Sequence, residues 1–213
     1  MTVHYIGDST VQVNNIHTYP QTGMGQVLPL YLQDKVRVVS YAKNGRSTKS
    51  FLDEGRFEPV KAAMLPGDFL FVQFGHNDEK DDPARHTDPY GSYQEHLNFY
   101  IDEARAKGAH PVLITPIARR LFDEQGQFTP GSHGDYPEAM RHLGARLQVP
   151  VADLTSITEA FLAQLGDELS KPLFVWPKDN THLKAEGAVR MAGFLAAELS
   201  RLGGIYADLL ETE

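Results

Sequence analysis

Val3-His4-Tyr5-Ile6-Gly7-Asp8-Ser9-Thr10 is a short apolar run that ends abruptly in a polar, glycine-led turn. A buried parallel strand reads this way, because both of its faces are covered and alternation with polar residues is lost. Working outward, the same pattern returns at Val36–Ser40, Phe69–Gln73, Pro111–Thr115 and Val149–Asp153. Between these runs, Tyr93, Leu97, Tyr100, Ile101 and Ala104 recur at helical spacing, as do Met140, Leu143 and Leu147 behind Asp135. Ile157, Phe161, Leu162 and Leu165 form a third stripe. A last helix, expected to start near His182, carries Val189, Ala192, Phe194, Leu195 and Leu199. Strands alternating with helices predict an α/β fold built on a parallel sheet, as one domain over residues 1–213.

Composition narrows the function. The 213 residues carry a formal charge of −8. An acidic surface is a poor partner for nucleic-acid phosphates, which bind basic patches through counterion release. Cysteine is absent, which excludes disulfides, thiolate metal sites and a cysteine nucleophile. Nothing approaches the roughly 18 apolar residues of a membrane span. The start, Met1–Thr10, lacks the basic residues and long apolar stretch of a leader, so a cytoplasmic protein is expected. Nine histidines invite a metal reading, but no ligand spacing supports one, and neither metal nor cofactor is expected. Oligomeric state is not legible.

In open α/β sheets, ligands bind at the carboxyl ends of strands, so the turns there carry the chemistry. Ser9 stands in the first; the alternative is that Ser9 or Asp8 caps a helix. After strand two comes Ala42-Lys43-Asn44-Gly45-Arg46-Ser47, where Gly45 can bring its backbone N–H close to a ligand. After strand three comes Phe74-Gly75-His76-Asn77-Asp78, whose plainer reading is an Asx-type turn at Asn77. Near the C-terminus stands Asp179-Asn180-Thr181-His182, where Asp179 can hold His182 Nδ1–H and leave Nε2 free to take a proton. The alternative there is a helix cap by Asp179 or Thr181. Together the four turns supply an acyl-transfer site. Ser9 is the expected nucleophile, His182 the general base, Asp179 its orienting partner, and Ser9 N–H, Gly45 N–H and the Asn77 amide the oxyanion hole.

At these residues the sequence resembles the SGNH (GDSL-type) hydrolase superfamily, with Ser9, Gly45, Asn77 and His182 at its named positions. The resemblance implies a three-layer α/β/α, flavodoxin-like fold with a five-stranded parallel sheet and a metal-free serine esterase mechanism. Gly7-Asp8-Ser9-Thr10-Val11, Gly75-His76-Asn77-Asp78 and Asp179-Asn180-Thr181-His182-Leu183 look like its rhamnogalacturonan acetylesterase branch. So do Thr115-Pro116-Ile117-Ala118-Arg119-Arg120, Phe128 and Ser132-His133-Gly134-Asp135-Tyr136. The implied substrate is an acetylated carbohydrate. Secreted members of that branch carry leaders and often disulfides, which this chain lacks; that would suit trimming of imported pectic oligosaccharides.

Candidate substrate contacts are His76, Arg119, Arg120, His133 and Trp176. Arg119 and Arg120 could fork onto a galacturonate carboxylate, or be solvated. Trp176, Tyr90, Tyr93 and Tyr136 could stack on sugar rings, although Tyr93 fits a core position, and His76 could instead hold its own turn. The loops 79–91 and 121–135 follow predicted strands and are candidate walls of a groove. Two rivals stand beside the acetylesterase. A lipase or thioesterase would want a long apolar acyl groove, whereas these loops are polar. A non-catalytic carbohydrate-binding protein would have no need of Ser9, Asp179 and His182 together.

Overall fold

The computed structural model describes residues 1–211. Five parallel strands, β1 (Thr2–Gly7), β2 (Arg37–Ser40), β3 (Phe69–Gln73), β4 (His110–Ile114) and β5 (Val151–Ala152), form one sheet in the order β2-β1-β3-β4-β5. The helices before β4 are α1 (Met24–Val27), α2 (Thr48–Asp53), α3 (Glu58–Ala63) and α4 (Gln94–Ala106). Those after it are α5 (Tyr136–Leu147), α6 (Leu154–Leu165), α7 (Asp167–Ser170), α8 (Ala185–Leu202) and α9 (Gly204–Ala207).

The period of two along each strand divides the core. Val3, Tyr5, Phe69, Phe71, Val112 and Ile114 face one side, where they meet Leu154 and Leu162 of α6 and Met191, Leu195 and Leu199 of α8. Ile6, Leu70, Val72 and Leu113 face the other, against Phe51 of α2, Val60 of α3, Leu97 and Ile101 of α4 and Met140 and Leu143 of α5. Helices on both faces explain why the strands read as continuous apolar runs. The layers and strand order are those expected of a flavodoxin-like sheet. Among the described residues, no helix is long and apolar enough to cross a membrane.

Two boundaries differ from the sequence reading by more than a residue. The last strand shrinks to Val151–Ala152, because Pro150 has no N–H to give the ladder and Asp153 caps α6 by accepting from Ser156 N. The last helix starts at Ala185 rather than His182. Residues 182–184 instead run beside 173–175, with Val175 N donating to His182 O (2.8 Å) and Lys184 N to Leu173 O (3.0 Å). Gly187 makes that approach possible, since a Cβ there would lie 2.1 Å from Leu173 O. The helices α2 and α3 were not read from the sequence.

The order of strands positions the site. The chain runs from β1 to β2 in one direction along the sheet and from β3 to β4 in the other, which opens a crevice between the carboxyl ends of β1 and β3. Gly7 pairs with Gln73, which sends the Asp8–Thr10 and Phe74–Asp78 turns out side by side. Lys43 N donates to Gly7 O (3.0 Å) and brings Asn44–Gly45 to the other flank.

Candidate active site

Ser9 is nearly buried where β1 ends. Its neighbour Asp8 shapes the turn: Asp8 Oδ1 accepts from Thr10 N (2.9 Å) and Thr10 Oγ1 (2.8 Å), and Asp8 O accepts from Val11 N and Gln12 N. The capping alternative thus belongs to Asp8 alone, and only to a turn, since no helix starts before Met24 apart from a short 3₁₀ turn at Ile16–Thr18. Ser9 Oγ is left to face His182, whose Nε2 lies 3.0 Å away. His182 Nδ1 lies 3.0 Å from Asp179 Oδ2, and Asp179 Oδ1 accepts from Thr181 N (2.9 Å) and His182 N (2.7 Å). Burial pushes the Asp179 carboxyl up. The two backbone N–H groups and the His182 ring outweigh it, so the group stays below the ordinary carboxylate value and ionised at neutral pH.

The residues of the expected oxyanion donors, Ser9, Gly45 and Asn77, line the same cleft. Gly45 adopts φ +76°, a conformation that glycine alone takes without cost. Gln12 and Gln21 hold its turn against Ser9: Asn44 N donates to Gln12 Oε1 (2.6 Å), while Gln21 Nε2 donates to Ser9 O (3.1 Å) and Asn44 Oδ1 (3.3 Å). Among the described residues, neither Ser9 N–H nor Gly45 N–H donates to a protein acceptor. Asn77 makes no local Asx turn. Its Nδ2 donates across the sheet edge to Arg46 O (3.1 Å), and its Oδ1 accepts from Arg85 Nη1 (3.3 Å). Gly75, before it, could carry no side chain: a Cβ would sit 2.7 Å from Pro116.

Ser9, Gly45, Asn77, Asp179 and His182 all line one cleft of about 530 Å³. Of the five candidate substrate contacts, the structure brings His76 and Arg119 to that cleft and leaves the other three out of its lining. Arg119 Nη1 donates to Thr181 Oγ1 (2.6 Å), and Nη2 to His76 O (3.2 Å) and Glu79 Oε1 (2.5 Å). It thereby braces the Asn77 turn against the His182 segment, with its fork already engaged. His133 is buried between Glu79 and Ile117 O, where it fixes Glu79 for Arg119. Arg120 is buried, bonds Ser170 and Asp167, and lies 4.6 Å from the Trp176 ring centroid. Trp176 therefore packs on a guanidinium instead of offering that face to a sugar. Tyr93 is core, Tyr136 donates to Asp78 O, and Tyr90 leans on His142 away from the cleft.

Of the two loops read as walls, 79–91 supplies Lys80 and Arg85 to the lining, whereas 121–135 only buttresses it through Ser132 and His133. Gln21, Asn44, Lys80, Arg85 and Thr181 were not read from the sequence as part of the cleft lining. Thr181 stands inside the His182 motif, and the charge of loop 79–91 was a usable signal for the two cations. Among the described residues the lining holds three cations, Lys80, Arg85 and Arg119, against the carboxylate of Asp179. That local balance is opposite in sign to the whole chain. No three His, Cys, Asp or Glu side chains of the described residues cluster as metal ligands.

A parallel α/β sheet with a Ser-His-Asp arrangement at its carboxyl edge defines a serine hydrolase architecture. The chain belongs to the GDSL-like lipase/acylhydrolase family, which matches residues 5–190 and so spans every residue of the site. It is 41% identical to the rhamnogalacturonan acetylesterase RhgT of Bacillus subtilis, over 94% of this chain and 90% of that protein. It is 31% identical to the rhamnogalacturonan acetylesterase of Emericella nidulans, over 92% of this chain and 84% of that one. The crystal structure of the B. subtilis protein YxiM superposes with a TM-score of 0.84 at 27% identity, covering 95% of this chain and 56% of that chain. Axe2, an acetylxylan esterase from Geobacillus stearothermophilus, shares the fold at a TM-score of 0.67 and 16% identity, over 100% of this chain and 97% of that one.

Proposed function

We propose that the chain is a serine acetylesterase that removes acetyl groups from acetylated pectic carbohydrate of the rhamnogalacturonan type. The observation that carries this reading is the continuous line from Asp179 through His182 to Ser9 Oγ, at 3.0 Å per step, on the floor of a polar cleft. Similarity to two rhamnogalacturonan acetylesterases over nearly the whole chain supports the substrate class.

His182, with its proton on Nδ1 facing Asp179, accepts the Ser9 hydroxyl proton at Nε2 as Oγ attacks the acetyl carbonyl. Negative charge moves onto the carbonyl oxygen, where Ser9 N–H, Gly45 N–H and Asn77 Nδ2 are the donors in place. The tetrahedral species collapses as the sugar oxygen leaves with the proton from His182. Water, deprotonated by His182, then attacks the acetyl-serine, and acetate leaves with Ser9 restored. Asp179 stays ionised throughout and stabilises the imidazolium formed at each step.

The test is acetate release from acetylated rhamnogalacturonan oligosaccharides, from acetylated xylan and from an octanoyl ester, with wild type and Ser9→Ala. The expected order places the pectic substrate first and the octanoyl ester far behind, with Ser9→Ala inert. Equal turnover of acetyl and octanoyl esters would support the lipase reading. Binding of the oligosaccharide with no Ser9-dependent acetate would make the protein a carbohydrate-binding one.

A further inference from the structure

The carboxamide of Asn77 is held at both ends, although Asn77 itself is 7% exposed. One amide hydrogen goes to Arg46 O, which leaves the other for the cleft, while Oδ1 receives Arg85 Nη1. Arg85 comes from loop 79–91 and is itself built into place. Its Nε donates to Asp82 Oδ2 (2.7 Å), Asp82 Oδ1 accepts from Ala84 N (3.1 Å), and Asp82 O accepts from Arg85 N and His86 N. The end of that segment is pinned beneath the cleft, where Thr87 N donates to Asp78 O (3.1 Å) and Thr87 Oγ1 to Asp78 Oδ1 (3.2 Å). The guanidinium therefore stands on a braced turn, with a defined partner on the amide.

We propose that Arg85 is a positioning residue for the oxyanion hole, fixing and polarising the Asn77 carboxamide so that its free N–H points at the developing oxyanion. The inference rests on Asn77 being an oxyanion donor. A cationic donor on the amide oxygen draws electron density from the nitrogen and makes the remaining N–H a stronger donor. It also locks the side chain in the rotamer where that N–H is useful, which a bond to Arg46 O alone would not do. Both effects count most where the carbonyl oxygen becomes charged, so they act on the transition state more than on bound substrate. Loop 79–91 thus supplies more than a wall: it holds an electrostatic support behind one of the three donors.

The experiment is a double-mutant cycle on 4-nitrophenyl acetate, which has no sugar and no carboxylate for an arginine to recognise. Arg85→Ala should lower kcat by roughly 10-fold, as a coupled charged contact does, with KM within about 2-fold of wild type. In an Asn77→Ala background the same change should cost less than about 2-fold, because the amide through which it acts is gone. Arg85→Lys, which keeps the charge and loses the planar fork, should recover part of the rate. The side chain is 34% exposed, so truncation opens no core cavity and the melting temperature should stay within about 2 °C of wild type. Losses that simply multiply in the double variant, or a change confined to KM, would overturn the proposal. A wild type that does not hydrolyse the ester at all would overturn the esterase reading itself. An active wild type with an unaffected Arg85→Ala would sink the role of Arg85 and leave that reading standing.

Discussion

Two carboxylate–histidine pairs flank Ser9, and they are built to opposite ends. Asp179 and His182 stand 3.0 Å apart with about a third of each side chain exposed, and His182 Nε2 reaches Ser9 Oγ. Asp8 and His76 stand 3.4 Å apart with exposures of 0% and 3%, and among the described residues neither ring nitrogen of His76 has a hydrogen-bond partner. The His76 ring is lowered to about 4: burial is the main cause, Asp8 opposes it, and His133 and Arg119 add to the lowering. The Asp8 carboxyl is raised by burial but held below its ordinary value by His76 and by the two Thr10 donors. At neutral pH the second pair is therefore an anion beside a neutral ring. A general base must become a cation during the reaction, and a histidine deprived of water resists that. The comparison teaches that the sequence pairing of Asp with His is not what selects the base; access to solvent and reach to the nucleophile do.

The sharpest break of the comparison exchanges the two histidines as targets. His182→Ala should cut kcat by about 10⁵–10⁶, as for other triad bases, whereas His76→Asn should cost less than about 10-fold per folded molecule and lower the melting temperature. Acetate release and thermal melts on both variants decide it. A His76 variant as inactive as His182→Ala, with its fold intact, would erase the distinction. The carboxylates should divide the same way. Asp179→Asn removes the group that sets the His182 tautomer and should lower kcat by roughly 10⁴, while Asp8→Asn should affect folding far more than turnover.

The oxyanion side comes next in size. Asn77→Ala should lower kcat by roughly 10²–10³ with KM nearly unchanged, the cost of one lost donor. If the melting temperature falls while kcat holds, Asn77 serves only its turn.

The buried members also set a pH signature. The His76 ring titrates at 6.5 when unfolded and about 4 when folded, so its neutral form stabilises the fold above pH 6.5 and that contribution is lost as pH falls toward 4. Asp78, fully buried and with Oδ2 unpartnered among the described residues, has the opposite sign. Desolvation raises it from 3.8 to about 7 against the bonds from Thr48 and Thr87, so its ionisation costs stability increasingly as pH rises from 4 to 7. The two trends offset each other in wild type. Asp78→Asn removes the second, so its stability should climb with pH from 4 to 6.5 by at most about 3 kcal/mol, which melting scans across that window would show. A variant as flat as wild type would mean that His76 is not held neutral by the fold.

The smallest effect belongs to the aromatic expected at the sugar. Trp176→Ala should destabilise the packing around Arg120 yet leave kcat/KM on oligosaccharide within about 3-fold. A KM raised 10-fold or more would return Trp176 to the substrate.

How much was legible follows from where each signal resides. The inner strands β1, β3 and β4 were readable because both faces are covered and the runs are nearly all apolar. β2, at the sheet edge and only half-buried, was readable from its β-branched Val38 and Val39. The four turns were readable because this topology forces strand ends together, whatever lies between them. The helices α2 and α3 were not, since each has six residues, too few to show a periodic stripe, and Gly55 lies between them. The fate of Arg119 and Arg120, adjacent in the chain, was equally hidden: one lines the cleft and the other is buried under Trp176.

What the sequence by itself offered is therefore the alternation of strands and helices, carried by local pattern, and Ser9, Asp179 and His182 as candidates at the carboxyl edge, carried by four turns taken together and by the family resemblance. What only the tertiary structure decided is how much water each histidine keeps, which arginine is free of the core and which loop supports the Asn77 amide. Those outcomes depend on contacts between residues far apart in the chain, such as Ser9 and His182, and on how much water each group keeps. Distance and solvation, which no linear pattern contains, set the hydrogen bonds and proton affinities that separate one histidine from another.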